Sequence, residues 1–297
     1  FSGDGTIVLI GYTNNQIQAW YVNLGVVKTY LGHGSKVVGA SWLDQSRALL
    51  SIAGDSSMIW WKLASRAHQK IGPVPYGIGG MCYVPERNEL FLASGTGELD
   101  YYLLYRNYKS SFRFPDTPQY IHRWHVKGKN HWVDKKAVQL AGVKNIICLN
   151  KGNTILCIGK GSNIYAWNLN SNLMRHWKSN NIENYAMCAV GDQQLAVVGK
   201  ARIEIWSVNG DLIDSITLPK YRGKINCIAW NPVSQQMYLG LNQIKGSGLY
   251  QYIGSTWKQI EGFPFQVVKI AFSPNGHQIA VGTNSNRLYY GAINNAQ

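Results

Sequence analysis

Short apolar stretches, each closed by Gly, Asn, Pro or Asp, recur along this chain of 297 residues. One kind begins near Val37, Gly79, Asn145, Asn184, Ile225 and Val267, at intervals of 42, 66, 39, 41 and 42 residues. Around each start the same grammar returns. A first apolar run enters a turn, as in Ala229-Trp230-Asn231-Pro232 and Ala271-Phe272-Ser273-Pro274-Asn275-Gly276. A second run ends in Gly: Ile158-Gly159, Val198-Gly199, Leu239-Gly240, Val281-Gly282. A third carries an aromatic near its end, as in Ile17-Gln18-Ala19-Trp20, Ile164-Tyr165-Ala166-Trp167 and Ile203-Glu204-Ile205-Trp206. A shorter polar run follows, such as Leu212 to Thr217. Runs of this length and punctuation predict strands joined by hairpins, and no stretch keeps a helical period of 3.6.

A unit of about 40–45 residues holding four strands is the repeat of a β-propeller blade. One such sheet cannot cover both of its faces alone. Stacking sheets around an axis buries those faces and leaves only short edges. The long interval of 66 residues is then one period plus an insertion.

These residues resemble the WD40-repeat family over nearly the whole chain, although the family's Trp-Asp dipeptide is missing. Trp20 is followed by Tyr21, Trp61 by Lys62, Trp167 by Asn168 and Trp206 by Ser207; Tyr102 and Tyr252 stand in for Trp, and Gly291 in the last repeat. The resemblance implies an all-β, seven-bladed propeller of four-stranded antiparallel blades, a single domain over residues 1–297. Its blades run roughly over 1–36, 37–76, 77–126, 143–181, 182–222, 223–264 and 265–297. The segment Phe1-Ser2-Gly3-Asp4-Gly5 aligns with Phe272-Ser273-Pro274-Asn275-Gly276. The first blade therefore lacks most of its inner strand and the last its outer one. Residues preceding Phe1 are expected to supply both.

One repeat keeps more of the family's chemistry. Gly32-His33 matches the Gly-His pair, and Ser51, Asp55 and Trp61 stand where the resemblance implies a structural hydrogen-bond tetrad with His33. There Asp55 accepts from one nitrogen of His33, Ser51 meets the other, and Trp61 closes the chain. Buried polar groups of this kind must satisfy one another. The role is structural, not that of a catalytic triad.

Charge singles out the insertion, about 105–144. The chain carries 29 Lys and Arg against 15 Asp and Glu, a net charge of +14. The segment from Tyr105 to Lys144 holds nine of the cations and only Asp116 and Asp134 among the acids. Arg106, Lys109, Arg113, Arg123, Lys127, Lys129, Lys135 and Lys136 interleave there with Tyr120, Trp124 and Trp132. Cations beside rings suit an acidic protein surface, or the phosphates and unstacked bases of RNA. A plainer reading also stands: Tyr120 to Val126 supplies the third blade's outer strand and the rest is a solvated loop.

Other chemistry is not indicated. His122, His125 and His131 have no Cys near them, and Asp134 is the closest carboxylate, so no metal site is expected. There is no G-x-S-x-G elbow and no H-E-x-x-H pair. Gly152 to Gly161 has the wrong glycine spacing for a phosphate loop. Cys82, Cys148, Cys157, Cys188 and Cys227 lie in apolar runs without CxxC spacing, which fits reduced thiols in the cytoplasm or another reducing compartment. No apolar run reaches the roughly 18 residues a membrane helix needs. The expectation is a non-enzymatic scaffold or sensing module within a larger protein or complex, with protein partners, no cofactor and no small-molecule substrate. The alternative is an RNA-associated propeller that binds through its basic insertion.

Overall fold

A computed structural model describes residues 1–43, 48–64, 68–73, 78–84, 89–94, 98–103, 108–113, 121–127, 130–136, 143–159, 161–171, 173–218, 223–243, 247–263 and 266–293, with backbone only at 43, 69, 89 and 174 and within 71–79 and 93–144. Among the described residues, seven antiparallel sheets of three or four strands follow one another along the chain, each a meander in which consecutive strands pair. The first holds Ile7–Gly11, Ile17–Tyr21 and Val26–Tyr30; the second Val37–Leu43, Ala48–Ala53, Ser57–Lys62 and His68–Pro73. The third holds Ile78–Val84, Glu89–Ser94, Glu98–Leu103 and Tyr108–Arg113; the fourth Val143–Leu149, Thr154–Gly159, Asn163–Asn168 and Leu173–Lys178. The fifth holds Ala186–Val190, Gln194–Val198, Arg202–Ser207 and Leu212–Thr217; the sixth Gly223–Asn231, Gln236–Gln243, Leu249–Ile253 and Thr256–Gln259. The seventh, like the first, has three strands: Val267–Phe272, Gln278–Thr283 and Leu288–Ala292. The first strands of sheets two to seven thus begin within two residues of the repeat starts in the sequence.

Burial explains why some strands are plain in the sequence and others are not. Ala48–Ala53 and Thr154–Gly159 are buried at every position. Such strands read as unbroken apolar runs rather than as alternation. The fourth strand Leu212–Thr217 is exposed at five of its six positions and Thr256–Gln259 at three of four. Outer strands therefore carry little apolar signal.

That is the reason for one correction. The third sheet's outer strand is Tyr108–Arg113, paired from Leu103↔Tyr108 to Glu98↔Arg113, and not Tyr120 to Val126. The short connection after Leu103 lets the chain close a local hairpin before it reaches residue 120. Ile121–Lys127 instead pairs with Asn130–Lys136 as a separate two-stranded hairpin.

Contacts divide the chain into two compact units, residues 9–176 and residues 1–8 with 177–297. In the first unit the second and third sheets meet face to face through Leu50, Ile52, Met58, Leu90 and Leu92, with Met81 and Tyr83 at the margin. Removing a side chain of this size from water stabilises the fold by about 1.5–3 kcal/mol. In the second unit the fifth and sixth sheets share a core that includes Val198, Ile203, Ile225, Leu239 and Leu241. The sixth and seventh share another built on Tyr238, Leu249, Val267 and Val281.

Residues 1–8 belong to that second unit and repeat a turn of the seventh sheet bond for bond. Ser2 N–H donates to Ile7 O at 2.7 Å and Gly5 N–H to Ser2 O at 2.9 Å; Ser273 N–H donates to Gln278 O at 3.0 Å and Gly276 N–H to Ser273 O at 2.8 Å. Each Ser hydroxyl also donates to the side chain two residues on, Asp4 at 2.5 Å and Asn275 at 2.6 Å. Each accepts the N–H five residues on, from Ile7 at 2.9 Å and from Gln278 at 3.0 Å. Phe1 packs beside Tyr290 with ring centroids 6.4 Å apart.

Candidate functional site

His33 lies in the loop between the outer strand of the first sheet and the first strand of the second. Gly32 permits this loop to approach the sheet, since a Cβ there would lie 2.9 Å from the Trp61 ring. The Trp61 indole N–H donates to Ser51 Oγ at 2.7 Å, and Ser51 Oγ lies 2.7 Å from His33 Nε2. His33 Nδ1 lies 2.5 Å from Ser57 Oγ, and Ser57 Oγ donates to Asp55 Oδ1 at 2.6 Å. The carboxylate also accepts the Gly34 N–H at 2.6 Å and the Ser57 N–H at 3.1 Å.

Proton bookkeeping gives this chain a direction. Ser57 gives its only proton to Asp55, so its oxygen accepts from His33, which places the imidazole proton on Nδ1. Nε2 is then an acceptor and takes the Ser51 proton at 2.7 Å, in preference to Ile59 O at 3.5 Å. Every donor meets an acceptor from Trp61 through Ser51, His33 and Ser57 to Asp55. The direct His33–Asp55 bond that the resemblance implies is replaced by a relay through Ser57. A serine two residues beyond an Asp carries no periodic signal, which is why sequence reasoning passed over it.

The electrostatics agree with a neutral imidazole. Burial lowers the His33 pKa below the usual 6.5, the Asp55 charge pulling it up and Lys70 pushing it further down. Burial also pushes Asp55 up, but hydrogen bonds from Ser57 and Gly34 and the proximity of His33 outweigh it, and the carboxyl ends below its usual value.

The fifth sheet reaches the same end by other means. Trp206 occupies the fifth position of its third strand, as Trp61 does. Its indole N–H donates to Glu204 Oε2 at 3.1 Å, and both Glu204 oxygens lie 3.1 Å from the Asn180 N–H. Glu204 is 0% exposed. Asn180 sits in the loop before the fifth sheet, where Ser179 Oγ donates to Asn184 Oδ1 at 2.7 Å and both residues are buried. In each sheet the third-strand Trp is thus tied to the loop that precedes the first strand. Glu204 was not apparent as a site residue, because an acid between two isoleucines reads as the solvated half of an alternating strand.

The basic segment is placed at backbone level. Lys109 and Arg113 lie on the outer strand of the third sheet. Arg123, Trp124 and Lys127 on one strand of the hairpin face Asp134, Val133 and Asn130 on the other, with Trp132 opposite His125 and Lys135 and Lys136 opposite His122 and Ile121. Arg106, Tyr120 and Lys129 lie outside the described residues.

All five cysteines are free thiols. Burial pushes Cys157 and Cys227 up to about 12, with Lys269 pulling slightly the other way at Cys227. Among the described residues no group of three or more His, Cys, Asp or Glu converges as a metal site. No helix among them is long and apolar enough to cross a membrane.

No known protein-family profile matches this chain, and no curated protein matches its sequence. Solved structures do. The chain is similar to one in the crystal structure of a mitotic checkpoint complex, with a TM-score of 0.71 and 14% identity, over 97% of this chain and 83% of that one. At that identity the likeness establishes the fold, an all-β arrangement of successive antiparallel sheets of the β-propeller kind.

Proposed function

We propose that this chain is a single seven-bladed β-propeller of degenerate WD40 repeats over residues 1–297, and that it holds protein partners rather than catalysing a reaction. The observation that carries this reading is the likeness, over nearly the whole chain, to a component of a multiprotein complex. Seven successive sheets support the blade count, with the hairpin at 121–136 as an insertion between the third and fourth. His33, Ser51, Asp55 and Trp61, joined through Ser57, act as a clasp. Ser51 is 0% exposed and already accepts the Trp61 N–H, so it has no face open to a substrate. Five free thiols fit a reducing compartment, the cytoplasm among them.

A second reading rests on the hairpin, whose register brings Arg123, Trp124, Lys127, Trp132, Lys135 and Lys136 onto two short strands. Stacking rings beside cations suit single-stranded RNA. Affinity purification at two salt concentrations, with and without nuclease, separates the two. Protein partners that survive nuclease support the platform. Partners lost with nuclease, together with salt-sensitive RNA recovery, support the second reading and overturn the first.

A further inference from the structure

In the unit formed by residues 1–8 and 177–297, charge is segregated by end. Each sheet is a meander, so first strands begin, second strands finish and third strands begin at one end. The first strands of the sixth and seventh sheets run in the same sense. Asn226 donates to Val267 O at 2.7 Å near their starts, and Asn231 donates to Gly276 O at 2.8 Å beyond their finish. Among the described residues of this unit, Lys178, Lys200, Arg202, Lys224, Lys269 and Arg287 all fall at the starting end, and all are exposed. Lys258, on an outer strand, is the one described cation placed elsewhere.

Exposed acids are distributed differently. Asp4, Asp192 and Asp211 lie in turns at the opposite end and Asp214 lies midway along an outer strand, while Glu183, Glu261 and the buried Glu204 accompany the cations. Lys224, Lys269 and Arg287 meet no carboxylate among the described residues. Lys224 and Lys269 stand on the first strands themselves. Two aliphatic side chains share the surface: Val268, 44% exposed beside Lys269, and Ile182, 93% exposed. Ile182 crowns the loop that Glu204 and Asn184 hold in place through Asn180 and Ser179. The loop is fixed while its one large apolar side chain stays in water, the form of a preorganised anchor.

We infer that this end of the unit docks an acidic peptide segment of a partner protein that also carries aliphatic residues. The inference rests on the platform reading and names its surface. Lys224, Lys269 and Arg287 supply long-range attraction, and Ile182 and Val268 supply the apolar contact. A nucleic acid would call for exposed rings on which to stack, and among the described residues the exposed large side chains at this end are aliphatic.

The test uses the whole chain and three labelled probes in fluorescence anisotropy: a peptide of repeated Glu-Asp-Leu, the same peptide with Ser for Leu, and a U-rich single-stranded RNA. The Leu peptide is expected to bind more tightly than the other two. Its affinity should fall on the order of tenfold or more in a Lys224→Glu, Lys269→Glu, Arg287→Glu variant and in Ile182→Ser. A milder Lys-to-Gln set guards against misfolding, with matching unfolding transitions as the control. Equal binding by wild type and the charge variants, or tighter binding of the RNA, overturns the inference. If the charge variant still recovers the nuclease-resistant partners of the wild type, this face is wrong and the platform reading survives. If the wild type recovers no such partners, the platform reading itself fails.

Discussion

Trp206 donates its indole N–H to Glu204 at 3.1 Å, so a carboxylate with no exposed surface anchors a strand through one oxygen and a loop through both. Glu204→Ala leaves both N–H groups unsatisfied and should lower the unfolding free energy by about 2–4 kcal/mol. Glu204→Gln keeps one acceptor oxygen and should cost less. Urea unfolding of the two variants checks this, and an alanine variant as stable as the wild type would remove the clasp from the account.

Ser57 should behave as an essential member of the His33 chain. Ser57→Ala strands the Nδ1 proton and is expected to cost about 1–2 kcal/mol. Ser57→Thr, which keeps the hydroxyl, should restore most of that. Nitrogen chemical shifts of His33 should report a neutral ring protonated at Nδ1. A proton on Nε2 would contradict the direction of the network.

Stability should fall as the pH drops through the range of His33. Its folded pKa lies below the unfolded 6.5, so the folded state binds fewer protons than the unfolded state between the two values. The contribution is fully present above pH 6.5 and is lost as the pH falls through the folded value. Asp55 follows the same sign lower down: its support is present above its usual 3.8 and is lost as the pH falls through its depressed folded value. Unfolding free energies measured from pH 8 to 4 should show the first loss in the wild type and a shallower one in His33→Asn. Equal slopes would assign the effect to other groups.

The repeat was legible because second strands such as Ala48–Ala53 and Thr154–Gly159, buried at every position, have to be apolar. Likewise, the kinship of Phe1–Gly5 with Phe272–Gly276 lies in residue types that make specific bonds, Ser with an Asx two residues on. What escaped was set by neighbours. Glu204 is buried because the loop at Asn180 closes over it, a contact between residues 24 apart in the chain. Tyr108–Arg113 is a strand by backbone pairing alone, and its polar side chains gave no period to read. Ser57 became a relay only once the His33 loop came within 2.5 Å.

Cys157 and Cys227 should resist modification in the folded protein. Both are buried thiols held at about 12, so almost no thiolate is present at pH 8. Mass spectrometry after brief treatment with an alkylating reagent should find both unmodified, and both labelled once urea unfolds the chain. Labelling in the folded state at the rate of a free peptide thiol would show that the strands carrying them open readily.

The proposed propeller requires seven sheets about one axis that present their loops to a partner. Electron density for the chain bound to a nuclease-resistant partner tests that most directly. The expected result is seven blades with their first strands innermost, and partner density against the loops that precede those strands. Sheets that share no axis, or a partner seated only on the hairpin at 121–136, would contradict it.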